Sequence, residues 1–399
     1  DLPIYFGNWV ESLPAAVQES VLDEFATPIF GCMDDFALNY NEDATDEDGS
    51  CTYEREGECH SAFATNGPDI FGGSGLSVFI GHTAGFLLTG NGSYKGVTLV
   101  GHAAGYSATG ANNITGLGAS AFYYADGASE SVAVGRSAGS YAKGTGSVMV
   151  GDKASYRISG NYNVSMGYMA LSGASSGTGF GTAYNNVAIG KESMANVTSG
   201  YENVAIGNWT MKDSTTARGN TYVGAYAGTG ATIGRYNVGV GHSAVQENQE
   251  GYHNIGIGRY ALYNTNTADG TGENVGVGDT AGYTNTTGIR NTWIGHRAGY
   301  NSTTASNNIF VGREAGYANT TGTANVVVGS RAFDANTIGD YNTAVGHQAL
   351  SSNVDGDGNT AIGYNALYTL EPTNNAGYNT AVGMNAGRLA TTGTGNVFM

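Results

Sequence analysis

The amino-acid sequence predicts an all-β protein whose main part is a β-solenoid of about 18 coils with a 17-residue period, preceded by a small acidic head of irregular and helical structure. Three observations predict this class: 65 glycines among 399 residues, a short motif that recurs along residues 77–399, and a change of charge near residue 60. Glycine is about twice as frequent as in ordinary proteins, so the backbone must adopt conformations that side chains disfavour. The 40% of hydrophobic residues is sufficient to drive folding.

The repeated motif reads Asn, Val/Ile/Thr, any residue, Ile/Val, Gly, two variable residues and Ala. Eleven of the 17 intervals between successive anchor glycines are 17 residues long, and the extra residues of longer units fall between the Ala and Asn positions, as in a surface loop. Helical repeats need about 33 residues and propeller blades about 40, so the period favours a solenoid. At about 4.8 Å per coil the rod would be roughly 85 Å long. The anchors are Gly81, Gly101, Gly118, Gly135, Gly151, Gly167, Gly190, Gly207, Gly224, Gly241, Gly258, Gly278, Gly295, Gly312, Gly329, Gly346, Gly363 and Gly383.

The residues before the anchor predict a short strand, because β-branched residues flank one variable residue. We expect the variable middle residue, exemplified by Tyr222, Trp293 and Ala344, to face away from the coil's own core. It is rarely charged, so both faces of the strand would be buried. A homotrimer would supply the burial that a thin coil lacks, and a monomeric solenoid is the alternative. Alanine stands three residues after the anchor in 16 of 18 units, which predicts a close approach of another coil.

Asparagine stands four residues before the anchor in fourteen consecutive units, from Asn163 to Asn396. This regularity predicts a ladder in which each side-chain amide bonds to the equivalent amide one coil away, as in stacked cross-β chains. The alternative is that the asparagines serve turns. The predicted ladder includes Asn203, Asn220, Asn237, Asn254, Asn291, Asn308, Asn325 and Asn342.

Tyrosines form a second regular column, five residues after the anchor in four successive coils: Tyr263, Tyr283, Tyr300 and Tyr317. Stacked coils would align them in one stripe. The stripe would either grip a polysaccharide or protein surface, or stack on itself and seal an interface between chains. Asn-x-Ser/Thr sites, including those at Asn196, Asn208, Asn285 and Asn319, are about as frequent as the composition yields by chance, so they do not indicate glycosylation.

Catalytic signatures are not found, and we predict that the chain is not an enzyme. The Gly-x-Gly patterns lack the Lys-Ser/Thr of a phosphate-binding loop. Carboxylates such as Asp279 and Glu314 are isolated, whereas sugar hydrolysis needs a convergent pair. Five of the seven histidines directly follow an anchor, but only His82 and His102 belong to adjacent coils, so a metal-binding stripe is not expected.

Charge is concentrated in residues 1–60, which hold 15 acidic residues against the single base Arg55. A chain of pI 4.6 and net charge -17 is repelled by phosphate backbones and anionic lipids. We therefore expect neither nucleic acid nor a membrane surface as partner. The sequence contains no apolar run of about 18 residues that would insert into a bilayer.

The head divides into three segments. Residues 1–30 contain an amphipathic pattern that predicts a docking or capping helix, residues 31–60 form an acidic module, and residues 61–76 would be a linker or cap. Asp43, Asp46 and Asp48 precede Gly49 with the spacing of hard oxygen ligands, which suggests calcium. The first ligand position of the usual loop is Ala44 and no bidentate Glu follows at the usual distance, so a solvated acidic loop is the alternative. No other cofactor is expected.

Two resemblances carry functional expectations. The units "NVAIG", "NTAIGYNAL" and "NTAVGHQAL" resemble the head repeats of YadA-like trimeric autotransporter adhesins and, equally, repeats of tailed-phage fibre proteins, over about residues 77–399. This resemblance implies a left-handed β-roll in which three chains wind into one fibre. The stretch "GCMDDFALNYNEDATDEDGSCTY" resembles a Cys-bounded, Asp-rich module of surface proteins from marine microbes. In an exported protein Cys32 and Cys51 would form a disulfide, and Cys59 would either cross-link a neighbouring chain or stay free.

Together these features predict a non-enzymatic extracellular fibre, structural or adhesive, that projects from a cell or virion surface and attaches to a surface glycan or protein receptor. One alternative is a subunit of a polymeric cell-surface filament or sheath, and another is a polysaccharide-cleaving, tailspike-like enzyme. Asn396–Met399 align with Asn379–Val382, so we expect the solenoid to continue beyond residue 399.

Overall fold

A computed structural model describes residues 64–65, 77–87, 96–173, 181–268, 271–371 and 377–399. Segments 1–30 and 31–60 lie outside the described residues, as does most of segment 61–76. The predictions that fall there concern the disulfide of Cys32 and Cys51, the thiol of Cys59, and the calcium ligands Asp43, Asp46 and Asp48.

The described chain is all-β, with 22 short strands and no α-helix in these ranges. The strands are β1 (Ala64–Thr65), β2 (Val78–Ile80), β3 (Thr98–Val100), β4 (Thr115–Leu117), β5 (Val132–Val134), β6 (Val148–Val150), β7 (Ile158–Ser159), β8 (Val164–Met166), β9 (Gly181–Thr182), β10 (Val187–Ile189), β11 (Val204–Ile206), β12 (Thr221–Val223), β13 (Val238–Val240), β14 (Ile255–Ile257), β15 (Val275–Val277), β16 (Thr292–Ile294), β17 (Ile309–Val311), β18 (Val326–Val328), β19 (Thr343–Val345), β20 (Thr360–Ile362), β21 (Thr380–Val382) and β22 (Val397–Phe398).

Nineteen strands form one parallel sheet in which each coil contributes a single strand directly beside that of the next coil. The register is kept residue for residue, as in the pairs Thr292↔Ile309 and Trp293↔Phe310 of β16 and β17. β1 pairs antiparallel with β2 and brings the sheet to 20 strands, while β7 and β9 form a separate parallel pair. The predicted β-solenoid of about 18 coils with a 17-residue period is confirmed.

Each anchor glycine turns the chain out of its strand. Gly135 has φ +130, and a Cβ built there would lie 2.6 Å from the carbonyl oxygen of Gly151 in the next coil. Both the backbone conformation and the contact exclude a side chain. In the turn that follows, residues with left-handed φ alternate with residues of right-handed φ, so the N–H groups of left-handed residues in one turn point to opposite neighbouring coils. The N–H of Arg297 donates to the carbonyl oxygen of Asp279 in the preceding coil, and the N–H of Gly299 donates to that of Ala315 in the next coil.

The core lies on the inner face of the sheet, under the middle residue of each strand. Trp293, Tyr222 and Phe310 are fully buried there. The expectation that the middle residue faces away from its own coil was wrong, because strand alternation puts it on the same side as the buried alanine of the following turn. The first and third strand residues face outward instead, and Ile257 is 41% and Val328 40% exposed.

Interior volume is shared between two positions of each coil, the middle strand residue and the residue four after the anchor. Where the middle strand residue has a large side chain, the turn position is glycine, as in Tyr222 with Gly228. Where the middle strand residue is small, the turn residue has a large side chain, as in Ala205 with Met211. In a coil with glycine at both positions, side chains of the neighbouring coils fill the interior. Cβ atoms built at Gly276 and Gly282 would meet Leu262 of the preceding coil, and the one at Gly282 would also meet Trp293 of the following coil.

Candidate binding surfaces on the solenoid

The asparagine column is an interior ladder in this structure. The Oδ1 of Asn291 accepts two bonds from Asn308, from its backbone N–H at 3.0 Å and from its Nδ2 at 3.2 Å. The Nδ2 of Asn291 in turn donates to Ala305 O at 2.7 Å and to Asn274 Oδ1 at 3.1 Å. The same pattern joins all eight asparagines named from the sequence, with one interruption at Asn254. Their amide groups therefore hold successive coils together and take no part in a surface site.

Asn254 keeps only part of the pattern. Its backbone N–H donates to Asn237 Oδ1 at 2.8 Å, but its buried Nδ2 has no partner. The interval from its anchor, Gly258, to the next anchor, Gly278, is three residues longer than the period.

A second interior polar column stands seven residues after the anchor and was missed by sequence reasoning. Asn336 Nδ2 donates to Asn319 Oδ1 at 2.7 Å, and Asn285 Nδ2 approaches Thr265 Oγ1 at 3.4 Å. Its signal was the recurrence of Asn, Ser or Thr at that position. Asn285 and Asn319 are fully buried, so these two Asn-x-Ser/Thr sites are inaccessible to glycosylation in the folded chain.

The outer face of the sheet is a uniform surface that repeats from coil to coil. It is formed by the first and third residues of β2–β6, β8 and β10–β21. Every one of these residues is Val, Ile, Leu, Met or Thr, and none is charged. Its side chains are half-exposed, and Ile309, for example, is 43% exposed. Contiguous apolar patches larger than a few hundred Å² are rare on free-standing proteins and mark interaction sites.

The four predicted stripe tyrosines lie in one stack. The ring centroids of Tyr263 and Tyr283 are 5.2 Å apart, those of Tyr283 and Tyr300 5.2 Å, and those of Tyr300 and Tyr317 5.5 Å, with planes within 15° of parallel. Each ring covers the face of the next. The partly exposed rings therefore present their edges to solvent, and a sugar ring would find no free aromatic face along the stack.

Charged side chains run beside this stack at the first and second positions after the anchors. Arg259 binds Asp279 through two bonds of 2.8 and 3.1 Å, and Glu314 is bound by Arg331 at 3.0 Å and Arg313 at 3.2 Å. These guanidinium groups hold the pKa values of both carboxyls below their usual range. Asp279 and Glu314 are two coils apart and each is engaged by its own bases, so they do not converge.

A second planar stack, which the sequence did not reveal, runs along the corner before the strands. The rings of Tyr184 and Tyr201 are stacked at 4.8 Å, and Arg218 lies 4.7 Å over Tyr201 and 5.6 Å over Tyr236. Tyr236 stacks on His253 at 5.5 Å. Because the stack mixes Tyr, Arg and His from two neighbouring columns, it leaves no single-residue repeat to detect.

Among the residues that the structure describes, one pair of histidines is stacked and the other histidines are placed singly. His82 and His102 stack at 5.6 Å, whereas His242 is flanked by Tyr226 and Tyr260 and His347 by Tyr364. In the described ranges, no three His, Cys, Asp or Glu side chains gather as a metal site. The described residues likewise include no helix long and apolar enough to cross a membrane.

Comparisons with family models, curated proteins and solved structures find no match for this chain. The geometry of its own residues is therefore what a functional proposal must rest on.

Proposed function

We propose that the protein is a non-enzymatic extracellular fibre whose copies pack through the outer face as a homotrimer, and that it attaches a cell or virion surface to a glycan or protein receptor. The observation that carries this proposal is the outer face itself. It is a continuous, uncharged row of mostly β-branched side chains on a chain that places its own core on the opposite side of the same sheet.

The size of the face supports packing between copies. A strip about 85 Å long and on the order of 10 Å wide, from coil and strand spacings, offers roughly 850 Å² per chain. One partner of a standard interface buries about 800 Å², and in a trimer each chain would divide its strip between two neighbours. The parallel register repeats one surface in every coil, so that identical chains can match along their whole length. From the sequence, the trimer was expected to bury the variable middle residues of the strands. Those residues lie inside the coil, so the proposed interface is formed by the first and third strand residues instead.

Assembly is tested on the full chain by native mass spectrometry and sedimentation equilibrium. We expect a trimer at micromolar concentration, and a folded monomer would refute the proposal. Ile257→Lys should produce monomers with an unchanged fold, because this side chain is already half-exposed in the single chain. Thr304→Lys, on the exposed outer turn, is the matched control and should leave the trimer intact.

A filament or sheath subunit would use the same face. Open-ended growth of the sedimenting species with concentration, in place of a fixed trimer, would favour that alternative.

The lowered pKa values of Asp279 and Glu314 argue against either of these two residues as the acid of a tailspike-like hydrolase. A glycosidase needs one carboxyl with a raised pKa to act as acid, whereas both of these have lowered pKa values. Release of reducing sugar from a panel of surface polysaccharides, abolished by Asp279→Asn or Glu314→Gln, would establish the enzyme instead.

A further inference from the structure

We propose that the tyrosine stack and the arginines beside it bind an acidic polysaccharide that lies parallel to the rod. This ridge comprises Tyr263, Tyr283, Tyr300 and Tyr317 with Arg259, Arg297, Arg313 and Arg331. The inference rests on the proposed attachment function and names the chemical class of its receptor.

One of the four ridge arginines has no ion-pair partner among the described residues. Arg259 pairs with Asp279, and Arg313 and Arg331 both pair with Glu314. Arg297 lies between those two acids, is exposed, and has its guanidinium 6.0 Å from the centre of the Tyr300 ring. Within the described part of the chain no carboxylate lies at ion-pairing distance from Arg297. Its donors are therefore available to a carboxylate of the ligand, which the guanidinium fork binds through two bonds.

The spacing of the ridge fits a regular polymer. Successive tyrosine rings are 5.2 to 5.5 Å apart, so their edges offer one phenol group per coil. An extended 1,4-linked polyuronate advances by a comparable distance per sugar. The backbone holds the tyrosines in place, because each coil is bonded to the next through strand and turn amides. Little ordering is then needed on binding.

The covered ring faces select against another class of polyanion. Single-stranded nucleic acids bind by stacking bases on free aromatic faces, and here each face inside the stack is occupied by a neighbouring tyrosine. A carboxylated sugar chain needs only hydrogen bonds from ring edges and charge from guanidinium groups.

The test measures binding of the full chain to polygalacturonate, with neutral dextran and single-stranded oligo-dT as comparison ligands, at low and at physiological salt. We expect saturable binding of polygalacturonate that weakens as salt rises, and weak or no binding of the other two. Equal binding of dextran would remove the role of charge, and tighter binding of oligo-dT would replace the sugar chain by a nucleic acid. Either result overturns the inference.

Two variants locate the site. Arg297→Ala should weaken binding of polygalacturonate about tenfold, the effect of losing one charge-assisted contact. Tyr283→Phe keeps the stack and removes one phenol group, and should weaken binding severalfold without changing the circular dichroism spectrum or the melting temperature. Arg290→Ala is the matched control, since Arg290 is an exposed arginine paired with Glu273 at another corner and should have no effect.

Equal losses from Arg297→Ala and Arg290→Ala, or no loss from both ridge variants, would overturn the inference. A chain that forms the trimer but does not bind polygalacturonate refutes the ridge alone. A chain that stays monomeric refutes the proposed fibre, whatever it binds.

Discussion

The ring of Tyr222 fills the space that a side chain on Gly228 would occupy. A Cβ built at Gly228 would lie 2.7 Å from the ring carbons Cε1 and Cζ, although the two residues belong to the same coil and are six positions apart. The preceding coil holds the reverse arrangement, with Ala205 in the strand and Met211 in the turn, both fully buried. Stability of each coil therefore depends on the summed volume of the two positions.

We expect Tyr222→Ala to cost about 3–5 kcal/mol of unfolding free energy by leaving a cavity, and Gly228→Met to cost about 1–3 kcal/mol by overpacking. The double variant rebuilds the arrangement of the preceding coil, so its loss should be smaller than that of Tyr222→Ala alone. Left-handed φ does not prevent this, because Met211 has φ 49 at the equivalent position. Urea unfolding of the four proteins gives the coupling energy, and simple additivity would contradict the shared-volume interpretation.

Asn291→Ala should cost about 2–4 kcal/mol, because the backbone N–H and the Nδ2 of Asn308 both lose their buried acceptor. Thermal or urea unfolding measures the loss. Asn301→Ala, in the partly exposed outer turn of the same coil, should change stability by less than about 0.5 kcal/mol. Similar losses in the two variants would mean that the ladder contributes no more than an ordinary surface amide.

Ala298→Phe should disrupt coil stacking around its site and cost at least about 3 kcal/mol. Ala298 is fully buried, and its carbonyl oxygen accepts the N–H of Gly282 from the preceding coil at 2.9 Å, so the backbone cannot move away without losing that bond. Ala318→Phe, on the partly exposed turn, is the control. An unchanged melting temperature for Ala298→Phe would contradict the close approach predicted from the alanine repeat.

Much of the coil was predictable from the repeat. A regular period with recurring Gly, Ala and Asn positions makes equivalent residues of successive coils stack. The inner face was not predictable. Strand alternation defines two faces, but both columns are apolar in this sequence. The middle strand residue varies from Gly239 to Trp293 because it shares the interior volume of its coil with the residue six positions later. This compensation is visible only when the two residues are seen in contact. The outer positions resembled core positions because nearly all of them are β-branched and none is charged.

The corner stack of Tyr201, Arg218 and Tyr236 escaped prediction for a different reason. The members of this stack share a planar side-chain group but not a residue type. A search for identical residues at one position of the repeat therefore does not find the stack. The tyrosine stack was visible as a repeat, but ring orientation decides whether faces or edges are offered, and orientation follows from packing between coils.

Two carboxyls should respond to pH with opposite signs. Burial raises the pKa of Asp334, which accepts a bond from the Ser351 hydroxyl. As pH rises from about 4, the unfolded chain releases this proton before the folded chain does. The free energy of unfolding therefore decreases with rising pH until the pH exceeds the pKa of the folded chain. Asp334→Asn should therefore raise stability at pH 7 by an amount on the order of 0.5 kcal/mol, small because the group is partly exposed, and should have no effect at pH 3.

Glu314 provides the opposite case, because the hydrogen bond from Arg331 lowers its pKa. Its contribution is fully present above the ordinary Glu pKa of about 4.3 and is lost as pH falls through the lower folded value. Glu314→Gln should therefore reduce the melting temperature at pH 7 and match the parent chain in strong acid. Melting curves of both variants between pH 3 and pH 7 test whether Asp334→Asn raises, and Glu314→Gln lowers, the melting temperature as pH increases. Parallel pH profiles for Asp334→Asn and Glu314→Gln would show that burial and guanidinium pairing do not control these groups separately.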